Sequence, residues 1–346
     1  MYMVSSKDLR VKMYEDALRL HKSGIRCLRI VKTLKEKYGV APGYATVWRW
    51  VHAICKPAYE YHGKPNLSLT SKLALLAAAS VSDATISKTK NSICFEVEMK
   101  DLEPVSLISQ CLSEVLSRPT PYPIYRRVRK KFHTIYNIYV TEIFYVTKAE
   151  SKELCLFLRD KENIYKLLDI HPDSFIKMFF ECEGGVSVSL SKQPLEFYAR
   201  IFAANTNLQL LRKIVKKLME MGINSRIILV NHAGYVNNSP YGRIILTKNC
   251  YQITIEQKKS IKEYFKKISF ISKRKVEKLR DVIEILENYN YHERALEWIR
   301  RYSYMKHGRE KWIKRIQMIS VEEAMSELER YVQQKQQKSR RGPQTH

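Results

Sequence analysis

The stretch FFECEGG, residues 179–185, decides how the rest of this chain is read. An apolar, helix-like run leads into it and an alternating, strand-like run follows. Two carboxylates, Glu181 and Glu183, stand at the end of the apolar segment beside Gly184 and Gly185. Charged groups in such a place need solvent, a pairing partner or a metal ion. The composition sharpens the question. The chain has 346 residues with 61 Lys+Arg against 35 Asp+Glu, a net charge of +26, so carboxylates are far outnumbered and their placement carries information. The cationic excess points to a polyanionic partner, with nucleic acid ahead of an anionic membrane.

The same arrangement occurs earlier in the chain. One unit starts at Leu69 with LTSKLALLAAASVSDATISKTK, and a second starts at His171 with HPDSFIKMFFECEGGVSVSLSK. Each opens on a helix-capping residue, Thr70 or Asp173. Each continues with an apolar helix that ends in an acid beside small residues, Asp83 or Glu183. A polar turn, alternating strand-like runs and an amphipathic helix follow in both. Two more strand candidates complete each unit: IYRRVRKK and YNIYVTEIFYV in the first, SRIILV and GRIILTK in the second. This is an internal repeat of one small α/β unit.

The helix before each acid carries small or soft residues four apart, Ala78 and Ser82 in one and Met178 and Cys182 in the other. Positions i and i+4 share a helix face, and small side chains there allow two backbones to approach closely. Two such helices side by side bring Asp83 and Glu183 together at one end. Converging carboxylates repel unless something compensates. A divalent cation is the natural compensation, and Mg2+ accepts one or two protein carboxylates with water and phosphate completing its shell. Metal-assisted phosphodiester hydrolysis is the chemistry such a pair suits.

These residues resemble the LAGLIDADG homing endonuclease family. FIKMFFECEG is similar to the family's F-L-x-G-F-F-D-A-E-G form, and LALLAAASVSDAT is similar to a degenerate copy of L-x-G-x-L-L-G-D-G-S. EVEMKD and ANTNLQLL, each before a helix, and ISFISKRKVEKL, similar to I-G-F-S-I-x-R-K-x-x-L, extend the likeness over about residues 69–287. The resemblance implies an α+β fold of two pseudo-symmetric αββαββα repeats forming a saddle for double-stranded DNA. It implies that Asp83 and Glu183 are metal-binding catalytic acids using Mg2+. It puts Lys100 where a basic residue helps polarise water or phosphate, with Asn205 at the matching position of the second repeat. The chain departs from the pattern at Ser82 and Ala84, which flank the first acid, and at Met178. Two readings stay open: a site-specific DNA endonuclease, or a non-catalytic DNA-binding regulator on the same fold. An architectural DNA binder is a third, resting on charge alone.

The flanking segments complete the expectation. Residues 1–55 read as a trihelical helix-turn-helix domain, and GIRCLRIVKTLKEKYGVAPGYATVWRWV resembles that of transposases and resolvases. Val47, Trp50 and Val51 form its core side, leaving Thr46 and Arg49 for DNA. A linker spans 56–68, the repeats span 69–165 and 166–288, and a helical extension anchored on Trp298, Tyr304, Trp312 and Ile316 spans 289–332. The basic tail 333–346 has few apolar residues and is expected to be disordered. On the saddle, Arg127, Arg129 and Lys131 share one strand face, with Thr85, Ser87, Lys88 and Lys90 after the first acid and Ser187, Ser189 and Lys192 after the second. Glu96 and Glu98 share strand parity with Lys100. They either accept from cytosine amino groups or pair with neighbouring lysines. The seven cysteines include no CxxC pair, which argues against a zinc site or a disulfide framework. No apolar run is long enough for a bilayer, and the N-terminus has no signal-peptide pattern. The expectation is a cytoplasmic monomer, nucleoid-associated if prokaryotic, with an internal pseudo-two-fold axis.

Overall fold

The computed structural model describes residues 7–52, 65–88, 93–118, 120–133, 137–190, 196–239, 242–291, 293–305 and 312–340. The chain divides into two units, residues 1–66 with 113–121, and residues 67–112 with 122–346. Most of the expected linker, 56–64, lies outside the described residues.

The N-terminal segment forms three helices, α1 (Lys7–Lys22), α2 (Cys27–Tyr38) and α3 (Tyr44–Val51). The apolar spacing of each brings Met13, Ala17, Ile30, Leu34, Val47 and Trp50 into one buried cluster. Gly39 ends α2 at φ 71°, a left-handed cap that glycine adopts without steric cost. Asp16 of α1 accepts from Lys37 Nζ at 2.5 Å and Tyr38 Oη at 2.7 Å, fastening α1 to the end of α2. Arg49 is exposed on α3, and Thr46 is half-buried.

Chain order then runs α4 (Ser71–Ser80), β1 (Ala84–Lys88), β2 (Ile93–Met99), α5 (Leu102–Val115), β3 (Ile124–His133), β4 (Ile138–Glu150), α6 (Lys152–Phe157) and α7 (Lys161–Ile170). The second half follows with α8 (Pro172–Glu183), β5 (Gly184–Leu190), β6 (Phe197–Asn205), α9 (Leu208–Glu220), β7 (Arg226–Asn231), β8 (Val236–Ser239), β9 (Gly242–Ile245), β10 (Cys250–Ile255), α10 (Lys258–Lys267) and α11 (Lys273–Asn288). Two four-stranded antiparallel sheets result, ordered β1-β2-β4-β3 and β5-β6-β10-β7. The identical order shows the duplication directly, and the architecture is the α+β, αββαββα pair that the resemblance implies.

Two local readings change. GRIILTK does not supply the last strand of the second sheet. It contributes β9, which pairs with β8 in a separate two-stranded hairpin, while CYQITI supplies β10 between β6 and β7. Burial explains the choice: Ile253 and Ile255 are fully buried, whereas Ile244 and Ile245 are exposed, so β10 gains far more from joining the sheet. Thr70 caps α4 as expected, its Oγ1 accepting from Leu73 N at 3.3 Å. The second motif helix instead begins from His171 with Pro172 at its first position, where proline's fixed φ and missing N–H suit a helix start. Asp173 therefore lies in the first turn and is not the cap.

Helix α4 is apolar all round, and Leu73 through Ala79 are buried, as expected for a helix enclosed by protein on every side. Among the described residues it packs on α8 more extensively than any other two helices pack. Ala74, Ala77 and Ala78 on α4, and Met178 on α8, are fully buried, so the methionine is accommodated without separating the pair.

The C-terminal part comprises α12 (Glu293–Arg301), β11 (Tyr302–Tyr304), β12 (Trp312–Lys314) and α13 (Val321–Arg340). The expected all-helical extension is thus interrupted by a β11–β12 pair. Trp298 stacks on Tyr302 at 3.9 Å between ring centroids, and Trp312 Nε1 donates to Val188 O of the second sheet at 3.0 Å. Ile316 is exposed and anchors nothing. Helix α13 runs to Arg340, through part of the segment expected to be disordered. The Gln and Lys residues that fill that segment are good helix formers. Residues 341–346 lie outside the described ones. All six described cysteines are free. Among the described residues no helix is long and apolar enough to cross a membrane.

Candidate functional site

The packing of α4 on α8 carries their C-terminal ends, and the acids that follow, to one place. Asp83 closes the turn between α4 and β1, and Glu183 is the last residue of α8, directly before β5. Asn205, at the end of β6, joins the two ends: its Nδ2 donates to Glu183 Oε1 at 2.8 Å and to Val81 O at 3.3 Å. Ser82 Oγ donates to Ala78 O at 2.9 Å and closes the last turn of α4.

The electrostatics are those of two acids in one desolvated corner. Burial, and next the Asp83 carboxylate, push Glu183 up to about 7, against the opposing hydrogen bond from Asn205. Burial likewise raises Asp83, with the Lys275 ammonium lowering it and Glu181 raising it. Two hard oxygen donors that are costly to ionise side by side fit a divalent cation, which would remove both the repulsion and the desolvation cost. Among the described residues no group of three or more His, Cys, Asp or Glu side chains could hold a metal ion. A pair is the number that Mg2+ uses when water and phosphate complete its shell.

The two carboxylates of FFECEGG have different fates. Glu181 is buried and accepts from Ile271 N at 2.7 Å, Ser272 N at 3.2 Å and Ser272 Oγ at 2.7 Å. It therefore caps the N-terminus of α11, where amide donors and the helix dipole favour an anion. Lys275, one turn into α11, lies 3.2 Å from Glu181 Oε1 and also donates to the Glu181 backbone oxygen. Gly184 follows the second acid in extended backbone. A Cβ there would meet Phe202 O on β6 at 1.9 Å, so the close approach of β5 to β6 requires glycine. Ala84, at the matching position of β1, shows that the first copy carries no such requirement.

From Asp83 the site opens onto the face of the first sheet that carries Thr85, Glu96, Glu98, Arg127 and Arg129. Asp83, Thr85, Glu96, Glu98, Arg127 and Arg129 line one open cavity of about 250 Å3. Cross-strand register puts Thr85 opposite Glu96, Arg127 opposite Phe144 and Arg129 opposite Glu142. The basic residues are held by acids. Arg127 bridges Glu96, at 3.0 Å, and Glu98. Arg129 pairs with Glu98 at 2.6 Å and lies over the Phe144 ring. Lys131 and Lys100 pair with Glu142 at 2.8 and 2.6 Å. Hydrogen bonds from Lys100 and Lys131 hold the Glu142 carboxyl at about 2. Of the two roles open to Glu96 and Glu98, pairing is the one observed, and the partners are arginines.

The structure thus brings Asp83, Glu183, Thr85, Arg127 and Arg129 to one region, with Lys131 farther along the same face. Lys100 is engaged by Glu142. Its register counterpart in the second repeat is Thr206, because Ala84 pairs with Val97 and Gly184 with Ala203; Asn205 matches Met99 instead. Ser87 and Lys88 are exposed on β1, Ser189 is exposed and Ser187 half-buried on β5. Lys90 and Lys192 lie outside the described residues. Thr46 and Arg49 belong to the other unit. The sequence reading missed Asn205 as the link between the motif ends, Lys275 as the cation beside the acids, and Glu142 as the anchor of two lysines. The motif ISFISKRKVEKL was the signal for Lys275.

The second repeat is also where the chain matches a known family: residues 172–269 fit the model of the LAGLIDADG-like domain. An uncharacterised protein of Methanocaldococcus jannaschii is 24% identical over 278 residues, covering 78% of this chain and 92% of its own length. Among solved structures, I-DmoI in complex with DNA and manganese is 17% identical, covers 58% of this chain and 97% of its own, and superposes with a TM-score of 0.38. I-WcaI bound to its DNA recognition sequence is 13% identical, covers 68% of this chain and 91% of its own, with a TM-score of 0.38.

Proposed function

We propose that this chain, whose residues 172–269 form a LAGLIDADG-like domain, binds a double-stranded DNA site across both repeats and hydrolyses its phosphodiester backbone with Asp83 and Glu183. The observation that carries this reading is the pair of desolvated acids where the two motif helices end, one of them raised to about 7 by burial and by its partner.

Mg2+, held by Asp83 and Glu183, would supply a bound water of lowered pKa and stabilise the leaving oxygen. The chain's own residues prepare that chemistry. Asn205 orients Glu183 Oε1 and ties it to the first motif. Lys275 favours the ionised, metal-binding form of Asp83. Glu181 caps α11 and holds Lys275 beside the acids. Arg127 and Arg129 lie in the cavity that Asp83 opens into, where they can meet phosphate oxygens. Thr46 and Arg49 on α3, with Thr85, Ser87, Lys88, Ser187 and Ser189 on the sheets, extend the DNA contacts, as do Lys90 and Lys192. One chain supplies both repeats, so the protein acts as a monomer with internal pseudo-two-fold symmetry.

The test incubates the full chain with Mg2+ and duplex DNA flanking its own gene, beside Asp83→Asn and Glu183→Gln. The wild type is expected to cut, while both variants bind and do not cut. Binding without cutting by the wild type would overturn the nuclease and leave the DNA-binding regulator.

A further inference from the structure

The face of the first sheet that carries Glu96 and Glu98 is nearly charge-neutral in a chain with a net charge of +26. Glu96 and Glu98 on β2 and Glu142 on β4 stand among Arg127, Arg129, Lys131 and Lys100, which are paired to those three acids; Lys148 and Glu150 of β4 share the face by register and offset each other in charge. The second sheet differs: its strands GGVSVSL, FYARIFAAN, RIILVN and CYQITI contain no acid at all. Solubility does not call for acids on a chain so strongly positive. Acids on a face that meets a polyanion also oppose binding, since each carboxylate repels phosphate and competes for the cation that would neutralise it.

We infer that Glu96, Glu98 and Glu142 are specificity-determining residues that withhold the first repeat's cations from arbitrary DNA. This rests on the DNA-binding reading above. In the free protein Arg127, Arg129, Lys131 and Lys100 each have a carboxylate partner. A duplex engages Arg127 and Arg129 only by displacing Glu96 and Glu98, and the displaced carboxylates then need donors. The major groove offers such donors at cytosine N4 and adenine N6. A duplex presenting them compensates the exchange, and one presenting acceptors there adds repulsion. Discrimination therefore comes from a penalty on wrong partners as well as from attraction to the right one. Glu142 remains charged throughout the physiological range, because the two lysines hold its carboxyl at about 2.

The test uses the full chain and three isosteric surface variants, Glu98→Gln, Glu142→Gln and the double variant. Binding to a random-sequence duplex is followed by fluorescence anisotropy across a salt series, and each protein then selects from a randomised duplex pool. The expected result is several-fold tighter binding of random DNA by each variant. The salt dependence should steepen by roughly one unit of slope per cation freed, and the selected pool should lose base preference at the positions facing the first repeat. Adding Arg127→Ala and Arg129→Ala to Glu98→Gln should cancel its gain. Wild-type affinity and slope in the variants would overturn the inference, as would tighter binding with unchanged selectivity. If neither wild type nor variants bind any duplex at low salt, the DNA-binding reading itself falls.

Discussion

Replacing Glu183 with glutamine should stabilise the metal-free protein at neutral and alkaline pH. The carboxyl is raised from 4.5 to about 7, so between those values the folded state holds a proton that the unfolded chain has released. A raised acid contributes stability that is fully present below the unfolded value and is lost as pH rises through the folded one. At 1.36 kcal/mol per pH unit, the loss amounts to roughly 3 kcal/mol. Glutamine keeps the side chain's length and an oxygen for the Asn205 hydrogen bond, yet has no charge to desolvate and none to oppose Asp83. Urea denaturation at pH 5 and pH 8, without divalent ions, measures the effect. The wild type should lose stability between these pH values, while Glu183→Gln should lose much less. At pH 8, millimolar Mg2+ should restore the wild type and leave the variant unmoved, because only the wild type offers the second carboxylate. Parallel pH profiles for the two proteins would refute the account of a strained acid pair.

Other outcomes follow from particular contacts. Gly184→Ala must displace the Phe202 carbonyl, 1.9 Å from the new Cβ, and should cost about 2–3 kcal/mol in thermal unfolding. Ala84→Gly should change stability by no more than about 1 kcal/mol, the ordinary entropic cost of glycine. Glu181→Ala strips the cap from α11 and leaves Lys275 without its carboxylate, for a loss of about 3–5 kcal/mol by urea titration; Glu181→Gln should retain part of the cap and lose less. Trp312→Phe deletes the bond to Val188 O and should cost about 1 kcal/mol.

Legibility in the sequence followed interaction range. The convergence of α4 and α8 could be read because i, i+4 spacing is a property of one helix, and two similar helices have one natural way to meet. The paired strands were visible for the same reason, through their alternation. Between GRIILTK and CYQITI, however, alternation favours neither; only burial against the rest of the sheet separates them, and that is a three-dimensional quantity. The ion pairs on the first sheet depend on cross-strand register. Parity placed Glu96 and Glu98 on the face of Lys100 but could not say that Arg127 would lie between them. Lys275 approaches the acids only because Glu181, far away in the chain, caps its helix. The matching of Asn205 to Lys100 failed by a single residue, and in a strand one residue exchanges the two faces.

One amide, that of Asn205, straddles the seam between the repeats, gripping the acid of one half and the backbone of the other. It works as a caliper lock: the halves cannot slide or hinge apart at the seam without breaking it. Whatever lies across the two acids meets them at a spacing that this amide helps to hold. For a duplex, the demand falls on its bendability midway along the site, where easily kinked steps would be preferred even with no side chain touching their bases.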